Sequence, residues 1–168
     1  MPDAERSFER IEDADLERLA FLAKKDHEDF FARHPRWRDL YAGRIVCVAL
    51  CQGAALHFVD GRNGVKDFDV WTFFAEHPAG RLRADRRVAS VDFGPSKFGH
   101  HPGEAGYIGR RIDFLMRSLR CQPDADPAKA IREYLSSGTT GSARALARKA
   151  VVLIEPNRLR GRVVWPFQ

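Results

Sequence analysis

The stretch Ile45-Val46-Cys47-Val48-Ala49-Leu50-Cys51-Gln52-Gly53-Ala54-Ala55 decides the fold, because it joins two kinds of secondary structure without a linker. Residues 45–50 are apolar throughout and β-branched at their start, which is typical of a strand buried on both faces. Residues 53–58 read as a short helix, and the turn residues 60–64 (Asp-Gly-Arg-Asn-Gly) close it. A buried strand that passes directly into a helix indicates an α/β domain.

A second strand is predicted over residues 65–74, where Val, Phe, Trp and Thr are frequent. This strand contains Asp67 and Asp69, and carboxylates two residues apart in a strand project from the same face. Like charges held so close repel each other, so the pair needs a compensating cation. Mg²⁺ suits the pair, because it takes one or two carboxylates and leaves its other positions to water and phosphate oxygens. Alternatively, the pair lies on a solvated edge and pairs with Arg62 or Lys66.

The turn between the first strand and its helix is a candidate phosphate site. Backbone N–H groups at the helix start, from Gly53 and Ala54, would face an anion, and Gly53 allows a close approach. The alternative is that Gly53 only permits close packing of the strand against the helix.

A third carboxylate is expected from a later strand, predicted over residues 107–116, in which Asp113 stands between apolar neighbours. Asp92, in a strand predicted over residues 88–93, competes for the same role. Asp113 is preferred because its strand is longer, whereas Asp92 precedes Gly94 and Pro95, a context in which aspartates often cap turns.

The remaining elements complete a single domain over residues 1–168. Predicted helices flank the core region 44–116: one over residues 15–34 with Asp13 or Asp15 as its N-cap, a short one from Pro35 to near Gly43, one from Pro127 to Tyr134 capped by Asp126, and one over residues 142–153. An edge strand is predicted over residues 159–165. Residues 14–42 therefore form N-terminal helices, and residues 126–166 form C-terminal helices and an edge strand. The expected fold class is α/β (α+β), with a mixed sheet flanked by helices.

Composition limits the classes of function. With 168 residues, 44% hydrophobic and 30% charged, the chain suits one soluble domain, and three cysteines without metal-like spacing indicate neither a disulfide framework nor a zinc site. The net charge of +5 favours phosphate-bearing partners. No signal peptide or membrane span is recognisable, so a cytoplasmic location without membrane contact is expected.

Taken together, residues 44–116 resemble the nucleotidyltransferase fold of the DNA polymerase beta superfamily. The stretches Val48-Ala49-Leu50-Cys51-Gln52-Gly53-Ala54-Ala55-Leu56-His57 and Lys66-Asp67-Phe68-Asp69 are most similar to the branch of bacterial proteins that contains abortive-infection nucleotidyltransferase toxins. Gly53-Ala54 departs from the family's Gly-Gly or Gly-Ser turn, so a hydroxyl that usually helps to hold phosphate is missing.

The resemblance implies roles for individual residues. Asp67, Asp69 and Asp113 would be the catalytic and metal-binding carboxylates, holding Mg²⁺ or Mn²⁺. Gly53 and Ala54 would cradle the phosphates of a nucleoside triphosphate. Among nearby basic residues, Lys97, Arg110 and Arg111 are candidates for phosphate or RNA-backbone contacts, or else are solvated surface charges.

The predicted function is metal-dependent transfer of a nucleoside monophosphate to an unidentified acceptor, such as RNA, a protein or a small molecule, with a possible antitoxin partner. One alternative is a catalytically degenerate member of the fold that binds nucleic acid or a protein. Another is a glycosyltransferase that holds a nucleotide-sugar through Asp-x-Asp and manganese, although 168 residues leave little room for it. Arg144, Arg148 and Lys149, on the last predicted helix, form either a solvated face or a basic face toward nucleic acid.

Overall fold

The chain combines helices and strands in the computed structural model, which describes residues 5–84, 91–103 and 105–166. The helices are α1 (Asp13–Arg33), α2 (Pro35–Tyr41), α3 (Gln52–Asp60), α4 (Pro127–Ser137) and α5 (Gly141–Ala147), with a 3₁₀ helix at Asn157–Leu159. The strands are β1 (Ile45–Cys51), β2 (Phe68–Ala75), β3 (Arg83–Ala84), β4 (Val91–Asp92), β5 (Arg111–Leu119), β6 (Ala150–Glu155) and β7 (Val163–Trp165).

The strands of the described residues form one mixed sheet. Its order is β3-β5-β2-β1-β6-β7, and β4 also pairs with β5. Strands β2 and β5 run parallel, whereas the other pairs are antiparallel. The sequence-based prediction of an α/β (α+β) domain, with a mixed sheet flanked by helices, is therefore confirmed.

Helices cover both faces of this sheet and enclose separate cores. Val70 of β2 packs in the core that includes Leu19 of α1 and Ala55 of α3. The next residue, Trp71, points to the opposite face and packs in the core that includes Leu135 of α4 and Leu146 of α5. Odd-numbered residues of β2 and β5 thus share the face that carries α4 and α5.

The prolines and the cap of α4 are predicted correctly, whereas the predicted N-cap of α1 is wrong. Glu12, rather than Asp13 or Asp15, is the N-cap of α1, and Asp15 completes a capping box with it. Helix α1 stops before Pro35, as predicted, and α2 begins there. Asp126 caps α4 as predicted, since its Oδ2 accepts a hydrogen bond of 2.9 Å from Lys129 N–H. No helix in the described ranges has the length and apolar character needed to cross a bilayer.

The predicted helix over residues 142–153 is wrong in its second half. Helix α5 ends at Ala147, and residues 150–155 form β6, an interior strand that pairs with β1 and β7. The run Val151-Val152-Leu153-Ile154 is fully buried. Burial of these mostly β-branched side chains between two sheet neighbours outweighs the helical tendency of the Ala-rich segment before it.

Several strand boundaries also differ from prediction. Strand β2 begins at Phe68 rather than Val65, because Val65 instead forms an isolated bridge with Ser7. Strand β5 covers Arg111–Leu119, so it starts and ends later than the predicted 107–116. The predicted strand over residues 88–93 is described only from Val91, and its residues 88–90 lie outside the described part of the chain. The edge strand β7 is present but short, since the 3₁₀ helix precedes it.

Candidate functional site

The parallel pairing of β2 with β5 places two acids from distant parts of the chain side by side. Asp69 and Asp113 are register partners in this pairing, so both side chains leave the sheet on the α4–α5 face. Asp113 is only 2% exposed, whereas Asp69 is partly exposed. The convergence of these two stretches is what the sequence predicts, and their metal-binding role stays a prediction.

Asp67 reaches the same region from the loop that precedes β2, and Arg111 connects it to Asp113. The Arg111 Nη2 atom lies 3.5 Å from Asp67 Oδ2, and its Nε atom lies 3.4 Å from Asp113 Oδ1. Arg111, expected at a substrate phosphate, thus contacts two carboxylates in this structure. Part of the charge compensation that the paired acids require comes from this guanidinium.

The turn between β1 and α3 lies next to the acids. Cys51 at the end of β1 is the register partner of Asp69. Gln52 follows with a φ of 61°, a left-handed conformation that is uncommon for a residue other than glycine. This conformation turns the chain sharply into α3 and leaves Gly53 and Ala54 at the helix start.

Gly53 is closely covered by the side chain of Asn63. The Asn63 Nδ2 atom donates hydrogen bonds to the carbonyl oxygens of Gly53, at 2.9 Å, and of Gly64, at 3.0 Å. A Cβ atom added at Gly53 would lie 3.1 Å from that nitrogen and 3.9 Å from Lys149 Nζ. The absence of a side chain at Gly53 therefore allows an amide and an ammonium group to approach the helix start.

These groups surround one cavity of about 380 Å³. Its lining combines carboxylates, cations and the first backbone groups of α3: Arg6, Gln52, Gly53, Ala54, Asn63, Gly64, Lys66, Asp67, Asp69, Trp71, Leu115 and Lys149. Such a mixture of charges suits a ligand that is itself anionic and carries a divalent cation.

The carboxylates alone do not form a ready-made metal cluster. Within residues 5–84, 91–103 and 105–166, no group of three or more His, Cys, Asp or Glu side chains is arranged to hold a metal ion. Asp67 and Asp69 both line the cavity, and two carboxylates with water and phosphate oxygens are a ligand set that Mg²⁺ uses. The donor chemistry therefore fits a divalent ion that arrives with an anionic ligand.

Lys97, also predicted to contact phosphate, lies elsewhere. Its Nζ atom is 2.7 Å from Glu12 Oε1 and 3.2 Å from Asp15 Oδ2, at the N-terminus of α1. Burial lowers the pKa of Lys97, but these two ion pairs outweigh that effect and raise it. The hydrogen bond and the charge of Lys97 in turn lower the pKa of Glu12. The structure does not bring Lys97 to the cavity.

Asp92 caps a turn, as its sequence context predicts. Its Oδ1 atom accepts hydrogen bonds of 2.8 Å from the backbone N–H groups of Gly94 and Gly109, and its Oδ2 atom accepts one of 2.6 Å from Ile108. Burial raises the pKa of this carboxyl, but the three backbone hydrogen bonds outweigh burial and lower it. Asp92 therefore organises the loop that precedes β5.

Two buried groups near the site have structural roles. The Cys51 thiol is fully buried, and burial, the charge of Asp69 and the neighbouring Cys47 raise its pKa well above the usual range. Arg110 is 5% exposed and donates hydrogen bonds to the carbonyl oxygens of Phe98, at 2.7 Å, and Glu5, at 2.8 Å. Cys51 is therefore a small buried residue, and Arg110 holds together the loops that contain Phe98 and Glu5.

Sequence reasoning missed three lining residues of the cavity. Arg6 arrives with the N-terminal segment and donates a hydrogen bond of 2.9 Å to the Asn63 carbonyl oxygen, and no local pattern indicates this contact. Asn63 was predicted only as a turn residue. The sequence predicts Lys149 on a helix, but this residue lies between α5 and β6 and its ammonium group reaches the start of α3. Its position next to a buried β-branched run is the one signal that could have placed it at a strand end.

Comparisons with protein-family models, with curated proteins and with solved structures gave no match. The resemblance to the nucleotidyltransferase fold therefore stays a prediction from the residues named above.

Proposed function

We propose that this protein is a metal-dependent nucleotidyltransferase, which transfers a nucleoside monophosphate from a nucleoside triphosphate to an acceptor hydroxyl. The observation that carries the proposal is the register pairing of Asp69 with Asp113 beside the cavity in which Asp67, the start of α3 and Lys149 meet. Acids on one side and phosphate-binding groups on the other are what phosphoryl transfer requires.

Each group has a distinct part in this proposal. Asp67 and Asp69 would hold Mg²⁺ or Mn²⁺, which when bound neutralises charge on the phosphate oxygens. The backbone N–H groups of Gly53 and Ala54 and the ammonium group of Lys149 would bind the phosphates. Asp113 would accept the proton of the acceptor hydroxyl, whose oxygen forms a bond to the α-phosphorus. The bond from that phosphorus to the bridging oxygen breaks, and pyrophosphate leaves with the electron pair.

Asp69→Asn tests this proposal. The variant keeps the size of the side chain but removes one charge, so it should lose transfer of label from an α-³²P-labelled nucleoside triphosphate to macromolecules of a bacterial lysate in the presence of Mg²⁺. Its thermal unfolding midpoint should be equal to or above that of the wild type, since repulsion with Asp67 and Asp113 is relieved. Asp39→Asn, an exposed acid on α2, is the matched control. Transfer by Asp69→Asn at the wild-type rate would refute the proposal.

Two observations favour a second candidate, a binding module of the same fold without turnover. The turn Gly53-Ala54 lacks a hydroxyl, and Arg111 already contacts Asp67 and Asp113. Calorimetry with each nucleoside triphosphate, with and without Mg²⁺, separates the two candidates. Metal-dependent binding supports the enzyme, whereas its absence at millimolar nucleotide leaves the binding module.

A further inference from the structure

Helix α1 presents a large apolar side chain to the surface. Phe21 is 53% exposed, although Ala20 and Ala23 beside it on the helix are buried. Its ring is contacted by an ammonium group, since Lys25 Nζ lies 4.8 Å from the ring centroid. Covering the rest of this ring would remove apolar surface from water, which favours a contact with another molecule.

A recess of about 590 Å³ lies directly beside Phe21. Helix α1 forms one wall of this recess, and residues 45–48 of β1 form another. The recess arises because β6 is shorter than β1. Strand β6 ends at Glu155, the register partner of Val48, so residues 45–47 extend beyond it. In the part of the chain that the structure describes, β1 therefore has no neighbouring strand on this side at residues 45–47.

This α1–β1 recess has the size and chemistry to receive an aromatic ring. Its buried lining side chains are small or aliphatic: Ala20, Ala23, Val46, Cys47 and Val48. Recesses of several hundred Å³ with apolar walls enclose groups of small-molecule size, and a phenyl ring is such a group. The surface thus combines an exposed ring with an empty apolar recess next to it.

The charges on either side of Phe21 indicate which partner fits. Glu17 and Lys24 stand four residues before and three residues after Phe21, so the three exposed side chains share one face of α1. Among the described residues, neither Glu17 nor Lys24 forms an ion pair. Across the recess, by contrast, Glu155 and Arg160 pair with each other at 2.8 Å. The charges without a partner are therefore one acid and one base, on opposite sides of the ring.

A second copy of this chain matches that pattern. When two α1 helices run antiparallel about a two-fold axis near Phe21, the residue four before the ring in one copy faces the residues three and four after it in the other. Glu17 of one copy then meets Lys24 of the other, and the reverse pair forms by symmetry. A parallel arrangement would instead oppose like charges, which repel.

We propose that this protein forms a symmetric dimer, in which Phe21 of each copy enters the α1–β1 recess of the other and Glu17 pairs with Lys24 across the two-fold axis. Aromatic side chains are enriched at the centres of interfaces, and charges around them fix the register. Helix α1 covers the face of the sheet opposite the one that carries Asp69 and Asp113. The dimer is therefore independent of the proposed function.

Sedimentation velocity over a range of protein concentrations tests the dimer. An interface of one helix and one recess per copy is small, so we expect a Kd of about 10 µM. Phe21→Ser should raise this Kd about tenfold or more, because symmetry places the change twice in each dimer. Ile108→Ser, at another exposed apolar residue, is the matched control and should leave the Kd unchanged. Both side chains are exposed, so both variants should keep the thermal midpoint of the wild type.

Charge reversal tests the antiparallel register. Glu17→Lys and Lys24→Glu should each raise the Kd about tenfold, since each puts two like-charge contacts into the dimer. The double variant Glu17→Lys/Lys24→Glu should restore the wild-type Kd, because opposite charges then meet again. Lys129→Glu and Glu133→Lys reverse the charges of an exposed pair on α4, and as controls they should not change the Kd.

A wild type that stays monomeric at about 100 µM, ten times the expected Kd, would overturn the proposal. A dimer that persists in Phe21→Ser would place the interface elsewhere and overturn it as well. The same holds for a double charge variant that is no tighter than the single ones, or for equal weakening by the α4 reversals. Asp69→Asn should lose transfer and keep the wild-type Kd, so the dimer and the proposed function are tested separately.

Discussion

Lys149 and Lys97 carry the same charge in different surroundings. Lys149 lies at the cavity beside Gly53, whereas Lys97 is paired with Glu12 and Asp15. Lys149→Met should therefore weaken binding of a Mg²⁺-nucleoside triphosphate about tenfold, the usual effect of losing a charge-assisted hydrogen bond.

Lys97→Met is the matched variant for this prediction. Its nucleotide affinity should equal that of the wild type, while its thermal midpoint should fall because the loop at Lys97 loses its link to α1. Isothermal titration calorimetry and differential scanning calorimetry on the two variants measure both effects. Weaker nucleotide binding by Lys97→Met alone would assign the phosphate role to Lys97 instead.

Asp92 provides a prediction about pH. Three backbone N–H groups stabilise its ionised form and lower its pKa in the folded state. A lowered folded-state pKa contributes stability above the unfolded-state pKa, and that stability is lost as the pH falls through the folded-state value. Asp92→Asn should thus lower the free energy of unfolding by about 1–2 kcal/mol at neutral pH.

The difference between Asp92→Asn and the wild type should shrink as the pH falls below the unfolded-state pKa, because the unfolded wild-type chain then binds a proton at Asp92 before the folded state does. Urea denaturation of both proteins at neutral pH and at about pH 3 measures it. A difference that is constant over this range would show that the charge of Asp92 does not contribute.

Among the helices and strands, those that local residues determine are predicted from the sequence, whereas a strand that depends on pairing with a distant part of the chain is not. Pro35 between α1 and α2 and the Asp126-Pro127 start of α4 are local signals, and they predict the bounds of these helices closely, although the N-cap of α1 is Glu12. Strand β6 depends on contact with β1, which is about 100 residues away in the chain, so the Ala-rich segment before it reads as a longer helix. The position of Asp67 before β2 likewise depends on the bridge between Ser7 and Val65.

The same distinction holds for the candidate site. Asp69 and Asp113 stand out in sequence because each interrupts an apolar run, and their strands turn out to be neighbours. Arg6 and Lys149 are ordinary surface charges in sequence, and only the tertiary fold brings them to the cavity.

Helix α3 and the loop before β2 are connected by His57, which is 2% exposed. Its Nδ1 atom accepts a hydrogen bond of 2.9 Å from Gly64 N–H, so Nε2 carries the proton and donates to the Glu9 carbonyl oxygen at 3.0 Å. His57→Phe keeps a ring but leaves these backbone groups without a partner, which should cost about 1–3 kcal/mol of unfolding free energy. His100→Phe, at an exposed loop position, is the control, and equal unfolding curves for the two variants would contradict this connection.

For the whole molecule, the location of Asp67, Asp69 and Asp113 in one region of the sheet predicts that Mg²⁺ stabilises the fold. A ligand that binds only the folded state at a concentration of 100 times its Kd adds about 2.7 kcal/mol. For a chain of this size each kcal/mol raises the thermal midpoint by about 2–4 °C. Wild-type protein should therefore melt at a higher temperature in millimolar MgCl₂ than in an equal ionic strength of KCl.

Arg111 competes with the metal for these carboxylates, since it contacts Asp67 and Asp113. Without Mg²⁺, Arg111→Gln should consequently have a lower thermal midpoint than the wild type, because the acids lose a compensating positive charge. Addition of Mg²⁺ should then raise the thermal midpoint of Arg111→Gln by more than that of the wild type. Asp69→Asn should show little increase, whereas Asp39→Asn should behave like the wild type. If neither the wild type nor Arg111→Gln has a higher midpoint in MgCl₂ than in KCl, Asp67 and Asp113 serve only to bind Arg111. The binding module then becomes the better description of the protein.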